Sequence, residues 1–227
     1  MATAPLPATP TQKHLLALDI ESEGPRLTDT VNAIGIAFVR VDFADPTYPA
    51  VITTALEKRN WAIKALPGET KDKQTTDEFW SKNQTVYAWI LANQRDAREV
   101  MAEIRQWLLA LVARYGLTPE NTTLLSDCPH FDLGRTSFLG HKTGTWDNVF
   151  EFLETPMRFS TEDPSGRREE YDPDGQDFKR WLTGRGLADT VKHDHMPAND
   201  AEWNLYEWLY VTVKRHGARN KNEASKH

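Results

Sequence analysis

The sequence predicts one α/β or α+β domain on a mixed sheet. Strand-like segments come first with short links between them, helical periodicity takes over the middle, and a fourth strand is followed by further helices. HLLALDIES (14–22) has the Leu and Ile density of a buried strand. VNAIGIAFVRVDF (31–43) alternates enough to pair with it, and PAVITTALE (49–57) supplies a third strand. EGPRLTDT (23–30) reads as a turn around Gly24 and Pro25, and links this short favour an antiparallel meander.

TTDEFWSKNQTVYAWILANQ (75–94) starts with threonines able to cap a helix and carries Phe79, Val86 and Ile90 near helical spacing. Ala97, Val100, Met101, Ile104, Trp107, Leu108 and Leu111 follow the i, i+3, i+4, i+7 rule, and Gly116 ends that helix. NTTLLSD (121–127) is a fourth strand, and FDLGRTSFLGHK (131–142) a short helix after it. Residues 157–178 are polar, with Pro and Gly interruptions, and read as a loop insertion. Residues 198–216 form a last helix, apolar almost all round. The expected organisation is a flexible leader over 1–13, a single domain over 14–216 and a charged flexible tail over 217–227.

Composition excludes several classes. Eight Trp, nine Phe and six Tyr are too much aromatic surface for a disordered chain. The 227 residues are long enough to bury about 70% of the unfolded surface, so no disulfide or structural metal is needed. The single cysteine, Cys128, can form neither an internal disulfide nor a multi-cysteine zinc cage, and a reducing compartment is expected. Apolar runs such as 15–18 and 108–113 fall far short of the ~20 residues of a membrane span. Residues 2–12 lack the charged and apolar regions of a secretory signal, so a cytoplasmic location is expected. A net charge of −6 argues against a broad basic surface for nucleic acid, but not against an acidic metal site.

Three groups of residues stand out. Alternation along β-like LALDIE puts Leu16, Leu18 and Ile20 on one face and Ala17, Asp19 and Glu21 on the other. Two carboxylates converging there call for a cation, unless the strand simply emerges into solvent. Asp132 follows the fourth strand where a sheet-based site gathers ligands, or serves as an ordinary acid at a helix N-terminus. His195 lies five residues before Asp200, which starts the last helix; the pair is a catalytic constellation or a cap. His193 and His195 also suggest zinc, but they supply only two ligands.

In order, D-x-E on a first strand, F-D after a later strand and H-x-x-x-x-D entering a C-terminal helix resemble the DEDDh family of 3′-5′ exonucleases, over residues 15 to about 210. SDCPHFD is similar to the G-N-G-P-x-F-D form of the phage exonuclease A-like and exonuclease VIII-like branch, matching at Pro129, Phe131 and Asp132; Asp127 departs, standing where that branch carries Asn. Pro197 stands where other branches often have Ala, and TTDEFW (75–80) is loosely similar to the branch's mid-chain Thr/Trp segment.

The resemblance implies a ribonuclease H-like fold: a mixed five-stranded sheet flanked by helices, its first three strands antiparallel. It implies Asp19, Glu21, Asp132 and Asp200 as ligands of two Mg²⁺ or Mn²⁺ ions, and His195 as general base with its pKa raised by flanking carboxylates. Asp19 would bridge the ions, Glu21 and Asp200 would hold the one bearing the attacking water, and Asp132 the other. The implied activity is hydrolysis at single-stranded DNA or RNA 3′ ends, releasing nucleoside 5′-monophosphates. A nuclease-derived binding module without turnover and a small-oligonucleotide phosphodiesterase are the alternatives.

Phe131, Trp80 and Trp203 are candidates to stack on a terminal base, or are core residues. Arg158, Arg167, Arg168, Lys179, Arg180 and Arg185 are candidates for phosphate contact, or form a solvated face. Monomer and homodimer both remain open.

Overall fold

The computed structural model describes residues 11–43, 51–52, 56–145 and 160–224. Residues 1–10 of the expected leader and 225–227 of the expected tail lie outside them, and Arg158 does too.

Strands β1 (Thr11–Ser22) and β2 (Val31–Phe43) form the long antiparallel centre of a mixed sheet, in register from Thr11 opposite Phe43 to Glu21 opposite Ala33. On the outer edge of β2 lie two short antiparallel strands, β3 (Val51–Ile52) and β4 (Glu57–Ala62). On the other edge of β1, β5 (Thr122–Leu125) runs parallel, and β6 (Ser160–Glu162) runs parallel to β5. The sheet therefore has six strands, order β3-β2-β1-β5-β6 with β4 also on β2, and not the five expected. The third strand expected over 49–57 is replaced by β3 and β4: of β4, only Trp61 and Ala62 are fully buried, so its EKRNWA sequence carries no strand pattern.

Both faces of the sheet are covered. Leu16, Leu18 and Ile20 of β1, with Ile34, Ile36 and Phe38 of β2, pack against α2 (Ala97–Tyr115) through Val100, Met101, Ile104 and Leu108, and against Leu139 of α3 (Pro129–Thr143). Leu15, Ala17, Ala37 and Val39 pack against Phe178 and Leu182 of α5 (Gln176–Thr183) and Ala201, Leu205 and Leu209 of α6 (Pro197–Ala224). The long helix α2 is fixed at both ends. The Asp96 side chain accepts from the backbone N–H groups of Arg98 and Glu99, and Gly116 closes the helix with φ 65°.

Three other expectations change. The helix expected over 75–94 is broken into a π-helical turn, Thr75–Trp80, and α1 (Gln84–Asn93). The polar stretch 157–178 contains β6 and α4 (Pro164–Glu169) and runs into α5; α4 starts where Asp163 accepts from the Gly166 N–H. Helix α6 continues through much of the expected tail, to Ala224. Among the described residues, no helix is long and apolar enough to cross a membrane.

Candidate metal centre

Along β1 the face that packs on α6 changes chemistry at one point. Leu15 and Ala17 belong to the core, while Asp19 and Glu21, next on that face, are only 7% exposed each. The strand irregularity at Glu21/Ser22 ends regular pairing immediately beyond them.

The other acids reach this point from neighbouring elements. Strand β5 pairs Leu125 with Ala17, so Ser126 and Asp127 leave the strand beside Asp19. Helix α3 then starts with Pro129 in its first turn and buries Asp132, whose carboxylate accepts from Ser126 Oγ at 2.5 Å and from the Ile20 backbone N–H. Ser126 Oγ in turn accepts from the Cys128 N–H at 3.0 Å, which ties the strand end to the helix start.

Helix α6 brings the last pair, and Gly35 lets it do so. Gly35 lies opposite Asp19 and beside Asn60 in the sheet. A Cβ there would sit 2.0 Å from the Pro197 carbonyl carbon and 2.1 Å from the Ala198 nitrogen, so only glycine admits the first turn of α6 against β2. Asn60 Oδ1 accepts from the Ala198 N–H at 2.7 Å and holds it there. The loop before α6 is tied to Asp200, which accepts from the backbone N–H groups of Asp194 and His195. His195 adopts φ 62°, the left-handed region that side chains other than glycine rarely occupy, at a cost of order 1–3 kcal/mol.

Two trios result. Ligand atoms of Glu21, His195 and Asp200 lie within 4.8 Å of one another, and so do those of Asp19, Asp127 and Asp132. His195 Nδ1 is 3.7 Å from Glu21 Oε1 and 3.8 Å from Asp200 Oδ2, too far for direct hydrogen bonds. His193 Nε2 is 3.6 Å from Asp200 Oδ2.

Burial and mutual repulsion push these carboxyls far from their usual range. Glu21 rises to about 9, first through burial and then through Asp200, Asp132 and Asp127. Asp132 rises to about 8 through burial, although its bond from Ser126 opposes the shift. Asp200 rises to about 6, again by burial. Asp19 is raised well above the ordinary range by burial, then by Asp132, Glu21, Asp200 and Asp127. His195 moves down, because burial and His193 outweigh Asp194; the expected rise is thereby corrected.

The donor set fits hard divalent cations: five carboxylates, one imidazole and no thiolate ligand. The fit has a second mark, since the buried Oδ2 of Asp19 has no hydrogen-bond partner.

Phe131 is half-buried and lines an open groove of about 460 Å³ beside Glu21, together with Ile20, Pro25 and Phe79. The Arg135 guanidinium lies 4.8 Å from the Phe131 ring centre and donates to the carbonyls of Gly24 and Asp29, bracing the 22–29 loop that forms one wall. Trp80 is 2% exposed against Tyr87 and is a core residue, whereas Trp203 is partly buried, edge-on to Phe178 and with its ring 5.7 Å from that of His193. Phe79, beside Trp80, is the aromatic that meets the site, its ring 4.9 Å from that of His195. Of the candidate phosphate contacts, Arg167 pairs with Glu162, Arg168 with Glu207, and Arg180 with Asp177.

No protein-family model and no curated protein sequence matches this chain. Solved structures do share its fold. A product-bound exonuclease I superposes with a TM-score of 0.51 at 16% identity, over 95% of this chain and 46% of that one. E. coli exonuclease I in complex with a dA16 oligonucleotide gives 0.53 at 14%, over 89% and 42%. The zinc-bound form of the E. coli exonuclease I–single-stranded DNA complex gives 0.52 at 16%, over 95% and 43%. The chain thus spans less than half the length of these proteins, and at such identities the likeness is one of fold.

Proposed function

We propose that this chain is a divalent-metal-dependent 3′-5′ exonuclease of the DEDDh type on a ribonuclease H-like fold, acting on single-stranded ends and releasing nucleoside 5′-monophosphates. The observation that carries the reading is the meeting of acids from β1, the β5–α3 turn and α6 in two neighbouring trios whose charges act on one another, one of them including a histidine. Sharing a fold with exonuclease I, whose structures hold single-stranded oligonucleotides, adds support and favours DNA as substrate.

In this reading Glu21 and Asp200 would hold one Mg²⁺ or Mn²⁺ ion, Asp132 would hold a second, and Asp19 would serve both. The chemistry supplied there would be charge stabilisation of the attacking and leaving oxygens of the phosphodiester. His195 presents Nδ1 to the gap between Glu21 and Asp200 and takes the proton of a water placed there. Its lowered pKa keeps the imidazole neutral and ready to accept at physiological pH. Phe79 and Phe131 wall the groove beside Glu21, where a terminal base can stack.

A ladder of 5′-labelled DNA and RNA oligonucleotides, incubated with Mg²⁺, Mn²⁺ or EDTA, tests the reading. Stepwise shortening from the 3′ end, abolished by EDTA, is expected. Binding without shortening would identify a nuclease-derived binding module, and cleavage confined to the shortest oligomers a small-oligonucleotide phosphodiesterase.

A further inference from the structure

We infer that Asp127 is a metal ligand, and that with Asp19 and Asp132 it forms a three-carboxylate cation site that fills without help from nucleic acid. The inference rests on the metal-dependent reading above and deepens it.

Asp127 is exposed, yet its carboxylate comes within 4.8 Å of those of Asp19 and Asp132. Neither Asp19 nor Asp132 offers an opposite charge to hold a solvent-facing aspartate there; a cation between the three would. The backbone on either side of Asp127 is held in place. Ser126 Oγ donates to Asp132 and accepts from the Cys128 N–H, which fixes the turn from β5 into α3 on either side of Asp127. The independent sign of a missing ligand is Asp19, whose Oδ2 is buried and accepts no hydrogen bond.

The two trios differ in charge. Glu21, Asp200 and a neutral His195 offer two negative charges, whereas Asp19, Asp127 and Asp132 offer three. Affinity for hard divalent cations rises with the number of charged oxygen ligands. Three carboxylates more than neutralise one divalent ion, so the Asp19 side does not depend on a substrate phosphate to complete its charge. As the ligand atoms stand, Asp19 groups with Asp127 and Asp132 and not with Glu21 and Asp200. Until a second ion draws on Asp19, the Glu21 side therefore has one carboxylate fewer and is the weaker of the two in the absence of substrate.

The test is a Mn²⁺ titration of the full chain, stripped of metal and free of nucleic acid, with free Mn²⁺ followed by electron paramagnetic resonance. The wild type should bind two ions with unequal affinity. Asp127→Asn and Asp127→Ser should weaken the tighter site by about tenfold or more and leave the weaker one unchanged. Asp189→Asn, which removes an exposed charge elsewhere, should leave both sites as they are. In EDTA, both Asp127 variants should melt at or above the wild-type temperature, since a repelling charge has gone, while Mn²⁺ raises their melting temperature less.

Wild-type titration curves from both Asp127 variants would overturn the inference and leave the metal-dependent reading standing. A wild type that binds no Mn²⁺ would overturn both.

Discussion

From Leu15 to Leu18, β1 is 0–2% exposed and apolar on both faces; from Asp19 to Glu21 it is 6–7% exposed and carries two carboxylates. Shielding from water is nearly equal along the strand, but its consequences are opposite. Burying a leucine contributes about 1.5–3 kcal/mol to stability. Burying the acids opposes folding whenever they are ionised, and their raised pKa values express that opposition. One half of the strand holds the molecule together, and the other half draws on that stability to keep a charged pocket dry.

The largest effect expected from this contrast belongs to Asp19→Asn. In the oligonucleotide assay it should abolish shortening, because the shared ligand is lost. In EDTA the same variant should melt above the wild type, because a buried repelling carboxylate has been replaced by a neutral amide. A variant that stays active, or that melts lower without metal, would remove the distinction between the two halves of β1.

His195→Ala comes next, with a rate about 10²–10⁴ times lower at saturating metal, the usual worth of a general base. Mn²⁺ titration of this variant should still give two ions, since the carboxylates remain. Full speed across the working pH range would take the proton-transfer role away from His195.

Leu16→Ala probes the other half of the strand. Urea unfolding should show a loss of about 2–5 kcal/mol, the cost of a cavity at a fully packed leucine, with the rate per folded molecule unchanged.

The remaining effect is the dependence of metal-free stability on pH. Glu21, Asp132 and Asp200 keep their protons to about 9, 8 and 6 in the folded chain, against about 4 when unfolded. On raising the pH the unfolded state is the first to lose these protons, so their contribution to stability is full below about pH 4 and is lost as pH rises through those values. Melting temperatures in EDTA should therefore fall between pH 5 and 9. Asp132→Asn should flatten the fall, and Mg²⁺ should reverse most of it in the wild type.

How far the sequence could be read follows from how local each signal is. The central strands and α2 carry their pattern within a dozen or so residues, so periodicity finds them. Strand β6 exists through its pairing with β5 and has no apolar alternation in STE, so nothing local announces it. The break between the π-helical turn and α1 falls at Ser81–Asn83, with neither glycine nor proline to signal it.

The same distinction governs the site. Asp19, Glu21, Asp132, His195 and Asp200 are candidates through the family resemblance that their order in the chain carries. Which aromatic meets His195 cannot, since Phe79 and Trp80 are adjacent and the π-helical turn decides between them. Gly35 offered a sign, a glycine inside a strand, but its partner at Pro197 is far away in the chain. The fall in the His195 pKa is likewise hidden, because burial and His193 together outweigh Asp194.

The central claim is tested most directly by anomalous scattering from a crystal of the protein soaked in Mn²⁺. The account predicts two peaks about 3.5–4 Å apart. One should lie in contact with Glu21 and Asp200, the other with Asp127 and Asp132, and Asp19 should touch both. A crystal whose manganese peaks lie away from these carboxylates, or that shows none at saturating Mn²⁺, would contradict it.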